Sequence, residues 1–322
     1  MKAIMELKNV KTYFRVSKGL FRSLIIKALD GVSLTVNLGE TISIVGESGC
    51  GKTTLGRTSL KLERPESGQI IFDGQEITKM KDTRTFRRKA QMIFQDPFTS
   101  LNPNMTIRQI IEEPMLIHNI SKKEREERIK KALADVRLLP PEEFLPKYPH
   151  MLSGGQRQRV GIARSLVLDP IFIVADEPVS MIDASSRAEI LSLIREIQKK
   201  YSVGVLYITH DIATAKYFSD RIAVMYAGKI VEHGETQLVL KNPLHPYTMA
   251  LMDAVPDPDP QNRFKFRKVV PGEPPSPISP PPGCRFHPRC PHVAETCKTN
   301  EPELRNISGR EVACHFAEIF VK

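Results

Sequence analysis

The chain has 322 residues, 41% hydrophobic and 26% charged, with 47 basic against 37 acidic side chains and a net charge of +10. That length accommodates one large globular domain with an appendage, or two modest domains, and the absence of any apolar run near the roughly 18 to 20 residues of a bilayer span argues against a membrane-crossing helix. The basic residues are spread along the chain rather than gathered into an arm, so the charge reads as solubility with a secondary attraction to an anionic membrane face; nucleic acid is also compatible with it.

In chain order, the segment MKAIMELKNVKTYF carries Lys2, Glu6 and Lys8 where a secretory signal needs an unbroken apolar region, so a cytosolic protein is expected. Thr41 to Val45, TISIV, reads as a buried strand and runs into GESGCGKT, with a helical pattern after it. Strand, glycine-rich turn and helix together make a phosphate loop. Gly46, Gly49 and Gly51 let successive N–H groups of Gly46, Ser48, Gly49, Cys50, Gly51, Thr53 and Thr54 turn toward one anion at a helix N-terminus. Lys52 adds a charge for the β- and γ-phosphates, and Thr53 a hydroxyl for Mg²⁺. Cys50 needs no redox role there, since a small buried residue suffices.

Between Gln95 and Ser153 the pattern turns helical. SKKEREERIKKAL opens with a capping-box pair, Ser121 and Glu124, and places Glu124–Arg128, Glu126–Lys130 and Glu127–Lys131 at i, i+4 spacing. LSGGQRQR follows, from Leu152 to Arg159; a Ser-Gly-Gly turn before a helix is a second phosphate-binding device by the same physics. The apolar run IFIVA then ends in Asp176, placed to hold magnesium, and Glu177, the candidate base for an attacking water. VGVLYIT at Val203 to Thr209 is a further buried strand. Strands alternating with helices over about 250 residues indicate an α/β core with a parallel sheet and a helical insertion.

Ten of the 25 prolines fall between Pro256 and Pro282, which marks an extended linker. Beyond it Cys284, Cys290, Cys297 and Cys314 are spaced C-x5-C-x6-C-x16-C. In a cytosolic chain such a cluster argues for metal over disulfides. The spacing is wider than usual zinc pairs and suits an iron–sulfur cluster; zinc and no metal stay open, and His287, His292 or His315 could replace a cysteine.

A phosphate loop alone leaves kinases, GTPases and recombinases in play; LSGGQ narrows them. Residues 1 to 250 resemble the ATP-binding subunits of ABC transporters, in which two such domains close head to tail around two ATP molecules. The resemblance implies a P-loop NTPase (RecA-like) α/β core with a helical subdomain and an N-terminal antiparallel β subdomain. It implies that Tyr13 stacks on adenine, that Gln95 touches magnesium and the attacking water, and that His210 contacts the γ-phosphate. Ser153, Gly154, Gly155 and Gln156, with Asp183, would serve the partner subunit's nucleotide. VSMID at Val179 to Asp183 departs from the family's usual Thr-Ser-Ala-Leu-Asp while keeping its polar ends. Phe98 and Leu101 would line the groove that receives a helix of the permease.

The tail carries GCRFHPRCP from Gly283 to Pro291, which matches the C-terminal extension of dipeptide and oligopeptide importer ATPases residue for residue. The resemblance therefore implies a domain at 1–255 with a helical subdomain at about 97–160, a linker at 256–282 and a cysteine-bearing extension at 283–322 holding a [4Fe–4S] cluster or, alternatively, zinc. It further implies ATP and Mg²⁺ as cofactors and peptide import at the cytoplasmic face of the membrane. Implied partners are a second ATP-binding subunit, identical or a paralogue, two permease subunits and an extracytoplasmic peptide-binding protein. Nickel or another small solute is an alternative cargo. A soluble ABC ATPase acting on nucleic acid or ribosomes usually has two such domains or a long coiled coil, and neither occurs in this sequence. The tail, distant in sequence from Glu177, is expected to be structural.

Overall fold

A computed structural model describes residues 2–17, 23–254 and 272–321. Most of the expected linker, residues 256–271, lies outside the described residues. The chain divides into two compact units: Met1–Met5 with Val36–Thr41 and Phe72–Tyr207, and Glu6–Thr35 with Ile42–Ile71 and Ile208–Lys322.

In the first unit the strands Ala90–Ile93, Phe172–Asp176 and Gly204–Ile208 lie side by side. The first two run parallel, Ala90 opposite Phe172 and Ile93 opposite Ala175. Phe172–Asp176 and Gly204–Ile208 are buried at every residue, as continuous apolar runs in a covered parallel sheet must be. The helix Gly154–Leu166 packs on Ile107–Ile117 and Lys122–Asp135.

The anticipated helix forms as Lys122–Asp135, with Ser121 Oγ accepting from the Glu124 N–H at 3.4 Å. Of the i, i+4 pairs, Glu124–Arg128 is made at 2.8 Å. Glu126 instead accepts from Arg108 of Ile107–Ile117, and Lys131 lies 5.0 Å from the Tyr201 ring centroid. Neighbouring elements offered these side chains a guanidinium fork and an aromatic face, which local spacing does not contain.

The helix Ile107–Ile117 starts with a complete capping box: Thr106 Oγ1 accepts from the Gln109 N–H at 3.3 Å while Gln109 Oε1 accepts from the Thr106 N–H at 2.8 Å. Thr106→Ala is expected to lower stability by about 1 kcal/mol, read as a shifted urea midpoint at unchanged slope.

In the second unit the strand Ala3–Ser17 lies between Ser23–Asn37 and Ser67–Phe72. A second sheet runs in the order Arg305–Ile307, Arg310–Val312, Lys229–Glu235, Arg221–Tyr226, Thr41–Val45. The strand leading into the phosphate loop is parallel to Arg221–Tyr226, with Val45 opposite Val224. The remaining pairs are antiparallel, and Val312 stands opposite Glu232. Residues beyond the proline-rich stretch thus extend the sheet that carries the loop. Phe286, 1% exposed, enters the core formed by Val45, Ile222, Val224, Tyr226 and Tyr247.

Candidate functional site

The phosphate loop follows Val45 as the sequence indicates, and its glycines are dictated by close approach as well as by backbone conformation. A Cβ on Gly46 would stand 2.2 Å from the Met225 carbonyl oxygen, and one on Gly51, at φ +107°, 2.3 Å from that of Ala28. No side chain fits either position. Lys52 is buried and donates to the carbonyls of Gly46 at 2.8 Å and Glu47 at 2.9 Å, which holds its ammonium at the centre of the loop. Ser48 and Gly49 are exposed, and Thr53 and Thr54 are half-buried at the start of the helix Lys52–Ser59. Cys50 is 5% exposed with its thiol pushed up by burial, so it is a neutral packing residue, as anticipated.

Tyr13 donates its hydroxyl to Asp30 at 2.6 Å, and burial together with that carboxylate raises its pKa to about 12. Burial opposes ionisation of Asp30, but the Tyr13 hydroxyl and the Arg285 guanidinium outweigh it and hold the carboxyl below its ordinary range. His210 is exposed, one residue before Asp211, which caps the helix Ile212–Phe218 by accepting from the Ala213 N–H at 2.8 Å.

In the first unit Gln95 and Glu177, 82 residues apart, are brought together: Gln95 Nε2 donates to Glu177 Oε2 at 2.9 Å. Glu177 sits at φ +41°, a left-handed conformation that only a small fraction of non-glycine residues adopt. It turns the chain sharply after Asp176, which is 3% exposed at the end of its strand.

Ser153 N-caps Gly154–Leu166 in a second complete capping box with Gln156, at 3.2 Å and 3.0 Å. A Cβ on Gly155 would meet Ser186 at 3.4 Å, so this glycine also lets the helix Ala184–Tyr201 approach. Asp183 is the exposed N-cap residue of that helix; before it Ile182 is buried and Met181 exposed, so the departing residues VSMID still form a helix entry.

Phe98 is 53% exposed with the Arg157 guanidinium 4.3 Å from its ring centroid. Leu101 is only 1% exposed, which corrects the expectation that it lines a docking groove: it is a core residue. Phe94, 39% exposed, and Phe98 are the apolar side chains of this segment that reach solvent.

The four tail cysteines are all free thiols and surround one small cavity of about 20 Å³ with Phe286, Phe316 and Phe320. Burial and their mutual proximity raise the Cys284 and Cys314 thiols to about 11, and burial likewise raises Cys290. Among the described residues no group of three or more His, Cys, Asp or Glu is arranged to hold a metal ion. The histidines have other engagements: His287 Nδ1 lies 3.0 Å from the Cys284 carbonyl, His315 Nε2 2.9 Å from that of Asn300, and His292 stacks edge-on against Phe320.

The sequence reading missed what lies between the cysteines. Arg289 grips the carboxylate of Glu47, inside the phosphate loop, with Nη1 to Oε2 at 2.9 Å and Nη2 to Oε1 at 3.1 Å. Arg285 donates to the Asp30 carboxylate and to the Ala227 carbonyl. The signal was present in GCRFHPRCP, where two arginines recur four residues apart, but their carboxylate partners lie more than 200 residues upstream.

Among the described residues no helix is long and apolar enough to cross a membrane. Residues 29–180 match the family described as ABC transporter, and residues 231–297 match the C-terminal region of oligopeptide/dipeptide transporters. The chain is 46% identical to the oligopeptide transport ATP-binding protein AppF of Bacillus subtilis, covering 97% of both chains. It is 42% identical to the di/tripeptide transport ATP-binding protein DppF of Pseudomonas aeruginosa over the full length of both. Among solved structures, a dimeric ATP-binding cassette in a post-hydrolysis state bound to ADP and phosphate is similar at 31% identity and a TM-score of 0.64, covering 72% of this chain and 99% of that one.

Proposed function

The chain belongs to the ATP-binding subunits of ABC transporters, in their oligopeptide and dipeptide group, and on that premise we propose that it binds and hydrolyses ATP to energise peptide import. The observation that carries this reading is similarity over the whole chain, cassette and C-terminal region together, to ATP-binding proteins of peptide transport. No single motif extends that far.

The residue types divide the labour. Lys52 and the loop N–H groups hold phosphate, and Tyr13, kept in place by Asp30, offers its ring to the base. The Thr53 hydroxyl and Asp176 carboxylate are oxygen donors of the kind Mg²⁺ takes, and the cation would neutralise charge developing on the phosphates. Glu177 polarises the attacking water, and its hydrogen bond from Gln95 aims the carboxylate. His210 contacts the γ-phosphate. Ser153 to Gln156 and Asp183 act on the nucleotide of a second ATP-binding subunit, so the isolated protein turns over slowly until paired. Two permease subunits and, through them, an extracytoplasmic peptide-binding protein complete the assembly at the cytoplasmic face, with no role for nucleic acid. Residues 1–255 form the nucleotide-binding domain with its helical subdomain at about 97–160, and 283–322 the extension.

Reconstitution tests the reading. In proteoliposomes with the permeases and binding protein, peptide is expected to accumulate in an ATP-dependent manner; uptake of nickel or another solute instead, or retention on nucleic acid at physiological salt, would replace it. The four cysteines, which line one cavity, would be the ligands of a [4Fe–4S] cluster, which takes one thiolate per iron. Anaerobic purification is expected to yield about four iron and four sulfide per chain. About one zinc would assign the site to zinc.

A further inference from the structure

We propose that Arg285 and Arg289 are positioning residues for ATP, which makes the C-terminal extension a working part of the nucleotide site. The inference rests on the ATP-binding reading and deepens it.

Glu47 follows the first glycine of the phosphate loop and is held from three directions. Its carboxylate accepts the Arg289 fork, its N–H donates to the Tyr247 hydroxyl at 2.9 Å, and its carbonyl accepts from Lys52 at 2.9 Å. The Arg289 side chain is 9% exposed and that of Glu47 28%, so solvent screens the pair weakly. A third donor bond from Arg289, to the Tyr226 hydroxyl at 3.3 Å, anchors the guanidinium to the sheet. A bidentate pair fixes direction as well as distance, and a cradle of converging N–H groups needs a fixed direction.

Arg285 works behind the same loop. It bonds Asp30, which receives the Tyr13 hydroxyl, and the carbonyl of Ala227. The adjacent Gly228 donates its N–H to the Cys50 carbonyl at 2.9 Å and accepts from the Asp30 N–H at 2.9 Å. One guanidinium thus braces both the aromatic ring offered to the base and the middle of the loop.

Charge makes the arrangement more than a brace. Glu47 and Asp30 are carboxylates beside a loop built to receive a polyanion, and left bare they would repel it. Each is matched by one arginine from the tail. Phe286, locked against Tyr226 at 5.3 Å and Tyr247 at 5.4 Å between ring centroids, sits between the two arginines, and Cys284 and Cys290 flank them. Order in the cysteine-bearing turn is thereby order at the loop.

Binding of mant-ATP with magnesium to the purified full-length protein tests this, in the parent, Arg289→Met, Arg285→Met, Glu47→Gln and the Arg289→Met/Glu47→Gln pair. Arg289→Met and Arg285→Met are each expected to raise Kd about tenfold, with kcat at saturating ATP within about twofold of the parent. Removing the unmatched carboxylate is expected to rescue: the double variant should bind more tightly than Arg289→Met alone. A parent-like Kd in Arg289→Met, or a double variant weaker than either single change, overturns the proposal. Circular dichroism and iron content are read on each variant. Should Arg289→Met fail to fold, Arg289→Lys keeps the charge and loses the fork; an intermediate Kd supports the proposal and a parent-like Kd overturns the fork. A parent that does not bind mant-ATP removes the ATP reading itself, an outcome distinct from failure of the variants.

Discussion

A Glu177→Gln protein is expected to bind ATP as tightly as the parent and to hydrolyse it about 10² to 10⁴ times more slowly, the usual contribution of a general base. The substitution removes one property and keeps the rest. Glutamine has the same length, retains an oxygen to accept the 2.9 Å bond from Gln95, and cannot take a proton from water. The backbone at φ +41° is unaffected, since both residues have the same branching at Cβ. Equilibrium nucleotide binding and single-turnover phosphate release on one preparation check it; near-normal turnover would remove Glu177 as the base. Gln95→Ala is expected to be milder, because it loosens the carboxylate's aim without deleting it.

Phe286→Ala is expected to destabilise the second unit by about 3–5 kcal/mol, the range for emptying an aromatic site in a packed core. Phe286 is 1% exposed among Tyr226, Tyr247 and His245, and large neighbouring rings held by their own contacts do not collapse easily into the space left. Phe286→Leu should lose less than about 1.5 kcal/mol, since most of the volume remains. Urea unfolding with limited proteolysis of the tail reads both. A loss in Phe286→Ala under about 1 kcal/mol would show that the extension is loosely seated.

Much of the site is legible in one dimension because its chemistry is local. The phosphate loop requires glycines at fixed intervals, a lysine and a hydroxyl in eight consecutive residues; the buried strands require unbroken apolar runs; the helix starts require Ser or Thr three residues before a glutamine or glutamate. Each of these conditions is met within a turn or two of chain. Side-chain pairing on an exposed helix was less legible: Glu124 and Arg128 met as their spacing indicates, but Glu126 went to Arg108 because a neighbouring helix competes with the local partner. Leu101, beside an exposed phenylalanine, could have faced either way until packing buried it.

The cysteine-bearing tail shows the same boundary most clearly. Along the chain one can read four thiols at unusual spacing, a proline-rich approach, and the family to which the string GCRFHPRCP points. Where that string goes follows from packing alone. The strand Arg310–Val312 adds to the sheet carrying the phosphate loop, Phe286 fills its core, and Arg289 closes on Glu47, 242 residues earlier. A carboxylate–guanidinium pair has no period and no fixed spacing, so nothing along the chain announces it; it exists because burial of an aromatic ring and a row of strand hydrogen bonds brings two distant charges within 3 Å.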